Sequence, residues 1–507
     1  MLMKTFSALV HGIDAIPITI ETDISKGLPS YQVIGHPDTS IKESKERLRL
    51  AFNYSGFSYP KGRVTINMSP ADLYKRGSHF DLAIAVGILA ATDQIQSETI
   101  SQYCFLGELS LDGCIHGTKG VLPMVSSMKK IGIQKVIVPK ENIKEALLVP
   151  DIEVYGIKYL EEVKHHFNSI IPMLPAPRSL VEGLPSRKTT EKDFSDVKGQ
   201  EYAKRAITIS VAGGHGLLLM GSPSTGKTML SERIPGIMPE MTIEEKIETT
   251  KIYSVAGMLN ENIPIISSRP FRHPHHKLTV AGLLGGGTIP KPGEISLANK
   301  GVLFLDEIGE FDYRLMDALR IPLETKEMIL VRKNMQYIYP ADFLLVAASN
   351  PCPCGYLGDS LHQCKCSASE ILRYQRKFSG PIMDRIDMHV HLMPIAYEEL
   401  ICTNTISSQQ MREQIETARS MQKKRYEKLN ISLNHQLDES NIEDFASLPE
   451  TAEVLLAEAY EKMKLNPRTL LKIRKLARTI ADLEEKDEIM LQHVTEALQY
   501  RGNSHER

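Results

Sequence analysis

The sequence predicts an α/β protein whose centre is a doubly wound nucleotide-binding sheet, and three stretches carry that expectation. Residues Gly221, Ser222, Pro223, Ser224, Thr225, Gly226, Lys227 and Thr228 fit the phosphate-loop spacing G-x-x-x-x-G-K-[ST] at every position. The apolar run Gly301-Val-Leu-Phe-Leu305 ends in Asp306-Glu307, and a second run, Phe343-Leu-Leu-Val-Ala-Ala348, ends in Ser349-Asn350. Each has the length of a buried strand and closes on polar residues where a nucleotide-binding sheet carries its chemistry.

At 507 residues the chain is too long for one core, so two or three domains are expected. The net charge of −2 gives no global basic footprint, so any site for a polyanion has to be local. No apolar run approaches the ~18 residues of a membrane span. Met1-Leu-Met-Lys-Thr-Phe6 lacks the apolar segment of a signal peptide. The expectation is a cytoplasmic protein that engages no membrane.

Residues 1–170 alternate β-like runs (Ile18 to Thr22, Arg63 to Met68) with helical ones (Ile41 to Phe52, Phe80 to Thr92), which predicts a compact α/β domain. Residues 171–192, proline-rich and then polar, break both periodicities and are expected to be a linker. The doubly wound pattern occupies 193–395, opening with a helix from Gln200 to Ala212. From 396 to 507 the chain is expected to be helical, over Gln409 to Lys428, Pro449 to Lys464, Pro467 to Leu483 and Glu488 to Arg501.

The phosphate loop has the context its mechanism requires. Gly216 to Met220 is strand-like, and Met229 to Ile234 can open a helix. Glycines let backbone N–H groups turn inward around phosphate, Lys227 reaches the outer phosphates, and the Thr228 hydroxyl is offered to Mg²⁺. Asp306 can complete the Mg²⁺ shell, Glu307 can orient or deprotonate the attacking water, and Asn350 is placed to touch that water or the γ-phosphate. Together these residues point to ATP hydrolysis.

Four of the seven cysteines fall in Cys352-Pro-Cys354 and Cys364-Lys-Cys366. Two C-x-C pairs can converge on one structural Zn²⁺, with His362 able to replace a thiolate; the alternative is four reduced thiols in a loop. The group His273, His275 and His276 is broken by Pro274 and is expected to have a conformational or DNA-facing role rather than to bind metal. Leu278 to Pro292 is Gly-rich with Lys277 and Lys291, and Lys326 to Tyr339 has a hairpin pattern carrying Arg332 and Lys333.

The sequence resembles the ComM/YifB family of Mg-chelatase-like AAA+ ATPases over essentially its whole length. The residues that carry the resemblance include Gly27 to Tyr31, Lys42 to Arg49, Asn67 to Leu73, Gly77 to Leu82, Asp196 to Gln200, Arg272 to His276, Pro292 to Ala298, Ala348 to Gly355, Gly380 to Asp387 and Ala477 to Asp482. One departure is His36, where an aliphatic residue is expected before Pro37. The resemblance implies an N-terminal domain of the Lon-protease-like (ribosomal protein S5 domain 2-like) fold, a P-loop AAA+ core and a C-terminal helical lid.

It also implies that Asn350 is a sensor, Arg385 an arginine finger offered to a neighbouring subunit, with Arg376 a competing candidate, and Arg468 the second sensor. A finger acting in trans requires an assembly, and a nucleotide-dependent homo-hexamer is implied. In related helicase-type rings such insertions grip the nucleic-acid backbone, so the resemblance implies that Lys291, Arg332 and Lys333 contact single-stranded or branched DNA. The implied work is helicase or branch-migration activity in homologous recombination during natural transformation, with recombination proteins as further partners. Two alternatives stay open: a Mg-chelatase-like remodelling ATPase working with a partner subunit, and a Lon-like protease. For the latter, His79 falls at the nucleophile position and Leu122 at the lysine position, with Ser78 and Lys119 close by as a shifted dyad.

Overall fold

The computed structural model describes residues 2–181, 192–260, 262–288, 290–332, 335–359, 361–377, 382–395, 399, 405–429 and 431–501. Lys333, the Gly380-Pro381 start of one family block, and residues 182–191 of the expected linker lie outside the described residues.

The N-terminal region is built from β1 (Met3–His11), β2 (Asp14–Ser25), β3 (Ser30–Ile34), α1 (Thr39–Tyr54), β4 (Arg63–Ser69), α2 (Asp81–Ala91), β5 (Tyr103–Phe105), α3 (Val121–Lys130), β6 (Lys135–Pro139) and β7 (Glu153–Ile157). Its seven strands form one sheet in the order β3-β4-β2-β1-β5-β6-β7. Alternation along β6 sends Ile137 into the core shared with α1 and α2, and Val136 and Val138 into the core beneath α3. Helix α2 is buried on nearly every side, so its apolar residues show no single stripe. Its buried Asp81 is held by the Arg47 guanidinium at 2.7 and 3.0 Å, while burial pushes the carboxyl up to about 6. Part of the expected linker is fastened to this domain, since Ala176 N donates to Val154 O at 2.7 Å.

The central region contains α4 (Glu201–Gly213), β8 (Leu217–Gly221), α5 (Lys227–Ser231), α6 (Ile243–Ala256), β9 (Phe271–Arg272), β10 (Val302–Leu305), α7 (Arg320–Thr325), the hairpin β11 (Glu327–Arg332) and β12 (Met335–Pro340), β13 (Leu344–Ser349), α8 (Ala368–Arg376) and β14 (Met388–Leu392). A parallel sheet runs β9-β10-β13-β8-β14. Parallel strands covered on both faces read as continuous apolar runs, as Leu217 to Leu219 and Val302 to Leu305 do.

The C-terminal helices α9 (Ser408–Arg425), α10 (Glu450–Lys462), α11 (Pro467–Leu483) and α12 (Leu491–Gln499) do not form a core of their own. Met411, Ile415, Ile473, Leu476 and Ile480 share one hydrophobic core with α4 and with Leu219, Phe304 and Val346 of the sheet. No described helix is long and apolar enough to cross a membrane.

The N-terminal domain meets the central one through α6 and the hairpin. Lys251 pairs with Asp14 at 2.9 Å, and Ser254 donates its hydroxyl to the buried Glu145, which also accepts from Leu122 N at 2.9 Å. Burial pushes the Glu145 carboxyl up from its usual range. Tyr337 on β12 lies 4.5 Å from the ring of His11, and Gly12 at φ 63 sits so close to Ile338 that a Cβ there would stand 2.7 Å from its carbonyl oxygen.

The turn before β14 is clamped from several sides. Asp387 N donates to Gly216 O at 2.9 Å, Lys472 Nζ meets the Asp387 carboxylate at 2.9 Å, and His215 Nδ1 lies 3.2 Å from it. Burial opposes ionisation of Asp387, but Lys472 and His215 outweigh it and hold the carboxyl well below the usual range. A depressed folded pKa stabilises the native state above the unfolded value of ~3.9 and is lost as pH falls through the folded value. Thermal unfolding from about pH 7 to about pH 3 is therefore expected to show Asp387→Asn well below the wild type at neutral pH, with the gap closing below about pH 4. A gap that stays constant over that range would contradict the assignment.

Candidate nucleotide site

The phosphate loop leaves β8 at Gly221 and enters α5 at Lys227. Ser224 at φ 66 and Gly226 at φ 91 take left-handed backbone conformations, which turn successive N–H groups toward one concavity. A Cβ at Gly221 would stand 2.8 Å from Leu392 O and 2.9 Å from Thr225 Oγ1. The Lys227 ammonium donates to Gly221 O at 2.7 Å, Ser222 O at 2.9 Å and Asn350 Oδ1 at 3.1 Å. Desolvation pulls its pKa down, against Asp306 and Glu307, which favour the charge.

The parallel sheet explains why distant residues meet here. β8, β13 and β10 end side by side, so their C-terminal residues Gly221, Ser349-Asn350 and Asp306-Glu307 share one edge. Thr228 Oγ1 donates to Asp306 Oδ2 at 3.0 Å. These hard oxygen donors fit Mg²⁺, as the sequence expects. Glu307 follows at φ 51 with its side chain 55% exposed, and its N–H donates to Asp306 Oδ1 at 2.9 Å. The Asp306 carboxylate is thereby held toward Thr228, while the Glu307 side chain stays more than half exposed.

His276 is a residue whose place the sequence does not signal. Its Nδ1 lies 3.8 Å from Glu307 Oε2, and its ring is 4.1 Å from His275. Arg272 anchors that segment through a bidentate pair with Glu294 at 2.6 and 2.7 Å.

Arg385 and Arg468 are not brought to this edge. Arg385 precedes β14 and sits beside Gly216, at the start of the strand whose end opens the phosphate loop. Five residues of strand at about 3.3 Å each put that turn ~16 Å from Gly221. Arg385 donates to Glu324 of α7, and burial together with the nearby charges of Arg320 and Arg468 pulls its pKa down. Arg468, exposed at the start of α11, therefore shares the Arg385 edge, as does Lys472 one turn on, which donates to Ile386 O at 3.2 Å.

Among the basic insertion residues, Lys291 and Arg332 are exposed. Tyr339 joins the two insertions by donating to Pro290 O at 2.9 Å. The Ser78 hydroxyl donates to Glu108, His79 holds Ala8 O at 2.9 Å, and Lys119 packs against Gly257. No hydrogen bond joins Ser78 to Lys119 among the described residues. Burial pulls the His79 ring down to about 4, so it stays neutral at pH 7.

The thiols of Cys352, Cys354, Cys364 and Cys366 lie within 4.8 Å of one another and could hold a metal.

Comparison with known proteins places these features in a family. Models described as magnesium chelatase, subunit ChlI, match residues 193–400; subunit ChlI of Mg-chelatase, residues 20–142; and magnesium chelatase, subunit ChlI C-terminal, residues 405–501. Competence protein ComM of Haemophilus influenzae is 41% identical over 503 residues, covering 98% of this chain and 97% of its own. YifB of Escherichia coli is 38% identical over 497 residues, covering 97% and 95%. Magnesium-chelatase subunit ChlI of Synechocystis sp. is 26% identical over 181 residues, covering 31% and 51%.

Replacing the Thr228 hydroxyl tests the metal side of the site. In fluorescent-nucleotide titrations the wild type is expected to bind a nucleoside triphosphate more tightly with Mg²⁺ than with chelator, and Thr228→Val to lose about tenfold or more of that enhancement. Equal Mg²⁺ enhancement in both proteins would remove Thr228 from the metal site.

Proposed function

The chain belongs to the ComM/YifB family of Mg-chelatase-like AAA+ ATPases, and from that premise we propose that it is a Mg²⁺-dependent ATP-hydrolysing motor that works on DNA as a homo-hexameric ring. The observation that carries the reading is the convergence of Lys227, Thr228, Asp306, Glu307 and Asn350 on one sheet edge while Arg385 and Arg468 occupy the opposite one. A second copy is then needed to bring arginines to the phosphates, which a closed ring supplies.

In this mechanism the backbone N–H groups of the phosphate loop and Lys227 bind and orient the phosphates. Thr228 and Asp306 would hold Mg²⁺, which supplies neutralising charge to the outer phosphate oxygens. Glu307 takes a proton from the attacking water as the water approaches the γ-phosphorus, and the terminal phosphoryl group leaves ADP. Asn350, bonded to Lys227, registers the position of that group. Arg385 of one subunit stabilises the charge that develops in its neighbour's site, and Arg468 lies close enough to join it.

The DNA part of the proposal is supported by the competence name of the relative that is 41% identical along nearly the whole chain, and by the exposed basic residues on joined insertions. Helicase or branch-migration work in recombination during natural transformation is the specific form proposed, in the cytoplasm and alongside recombination proteins. The match to magnesium chelatase models favours a second reading, a remodelling ATPase that drives a partner protein.

Glu307→Gln is expected to bind ATP normally and to lose turnover by about 10²-fold or more; retained turnover would exclude Glu307 as the base. ATP hydrolysis measured without DNA, with single strands and with a branched junction separates the two readings. DNA is expected to stimulate the wild type, and the double change Arg332→Ala, Lys333→Ala to lose most of that stimulation at unchanged basal rate. No stimulation by any DNA would favour the remodelling reading.

A further inference from the structure

After β13 the chain runs from Asn350 to Cys366 with no helix or strand among its described residues, then enters α8 through the Ser367 cap. Irregular segments of this length inside a compact domain need something other than backbone pairing to hold them. Here the thiols do the converging. Cys352 Sγ lies 3.4 Å from Cys354 Sγ and 3.7 Å from Cys364 Sγ, and Cys354 Sγ lies 3.6 Å from Cys364 Sγ. None of the four is in a disulfide. A tetrahedral metal with Zn–S bonds of about 2.3 Å has sulfur–sulfur edges of about 3.8 Å. The observed spacing matches that single-ion geometry, and a cluster of several irons would hold its thiolates further apart. The backbone N–H groups of Tyr356 and Lys365 point at the Cys354 sulfur, the outer support that metal thiolates carry.

The same loop touches the phosphate loop at two points. Gly355, at φ 85, packs against Pro223 so closely that a Cβ would stand 2.7 Å from Pro223 Cδ. The Ser222 hydroxyl beside Asp359 holds its carboxyl below the usual range, and Asp359 Oδ1 accepts from Leu361 N at 2.7 Å and His362 N at 2.8 Å. The near end of the loop is Asn350, which holds Lys227. Three residues of the nucleotide site, Ser222, Pro223 and Lys227, are therefore braced by a segment that its converging thiols draw together.

We propose that Cys352, Cys354, Cys364 and Cys366 bind one Zn²⁺ as thiolates, releasing their protons to solvent, and that this ion holds the brace on the phosphate loop, so that nucleotide binding depends on it. The coupling rests on the nucleotide-site reading above; the metal site does not. Removal of the ion, or oxidation of the thiols, loosens Asp359 and Gly355 and lets the phosphate loop lose its shape.

The test uses the full chain purified without chelator. Elemental analysis is expected to give about one zinc per chain and no stoichiometric iron. Stripping the ion with a thiol reagent and chelator is expected to weaken fluorescent-ATP binding about tenfold or more, with recovery on adding reductant and Zn²⁺. Asp359→Ala keeps all four thiols, and is expected to retain its zinc while binding nucleotide about fivefold or more weakly. Absence of zinc, or iron in its place, overturns the metal assignment. Unchanged nucleotide affinity in zinc-loaded Asp359→Ala overturns the brace. A zinc-loaded wild type that binds no nucleotide overturns the function proposed above while leaving the metal site standing.

Discussion

Strands β8 and β14 lie side by side and parallel, with Leu217 opposite Met388 and Gly221 opposite Leu392. The phosphate loop leaves the far end of this pair, and the turn with Arg385 enters the near end. The turn is fixed by backbone bonds to Gly216 and by the pairing of Asp387 with Lys472 and with the buried His215. One chain thus presents a phosphate site on one edge and an arginine edge on the other. Arg501, which donates to Ile386 O at 2.7 Å, adds a further clamp from the C-terminal helices. The proposed contact with a neighbouring chain requires Arg385 to keep a fixed place relative to its own sheet, and this turn provides it.

The C-terminal helices owe their position to the same constraint. Their apolar stripes are spent on α4 and on one face of the sheet, so α11 carries Arg468 to the arginine edge instead of over the chain's own phosphate loop. Inside that packing, Asp482 is buried and satisfied by Arg425 and by Asn434 Nδ2 at 2.8 Å, with Arg478 beside it. Such a network costs desolvation and is tolerated because every charge finds a partner. Among the described residues the N-terminal domain is joined to the central one at α6 and at the hairpin. Movement of either element during turnover would be felt by the domain that packs on it.

Much of this could be read locally. The phosphate loop, Asp306-Glu307 and Asn350 each end a short apolar run, and strand ends are where a parallel sheet concentrates chemistry. The hairpin over Glu327 to Pro340 and the helices beyond Ser408 follow their residue periodicities closely. The paired cysteines announce themselves by spacing. What local reading misses depends on contacts between residues far apart in the chain. His276 reaches Glu307 because β9 is the neighbour of β10, and neither segment contains a sign of the other. The shared edge of Arg385 and Arg468 follows from α11 packing on the turn before β14, a separation of more than eighty residues. The hairpin's seat on Gly12 and His11 is likewise invisible in either segment, since a glycine turn and a tyrosine have many uses.

The central claim is that each active site is completed by the next chain, and mixing two defective variants tests it most directly. Lys227→Ala lacks the phosphate ligand, and Arg385→Ala lacks the edge offered to the neighbour. Each alone should hydrolyse ATP at a small fraction of the wild-type rate. Mixed in equal amounts and allowed to exchange, they should recover activity toward about a quarter of wild type, the share of interfaces that pair an intact loop with an intact arginine. Full activity of Arg385→Ala alone, or no recovery in rings proven to contain both variants, would contradict the account.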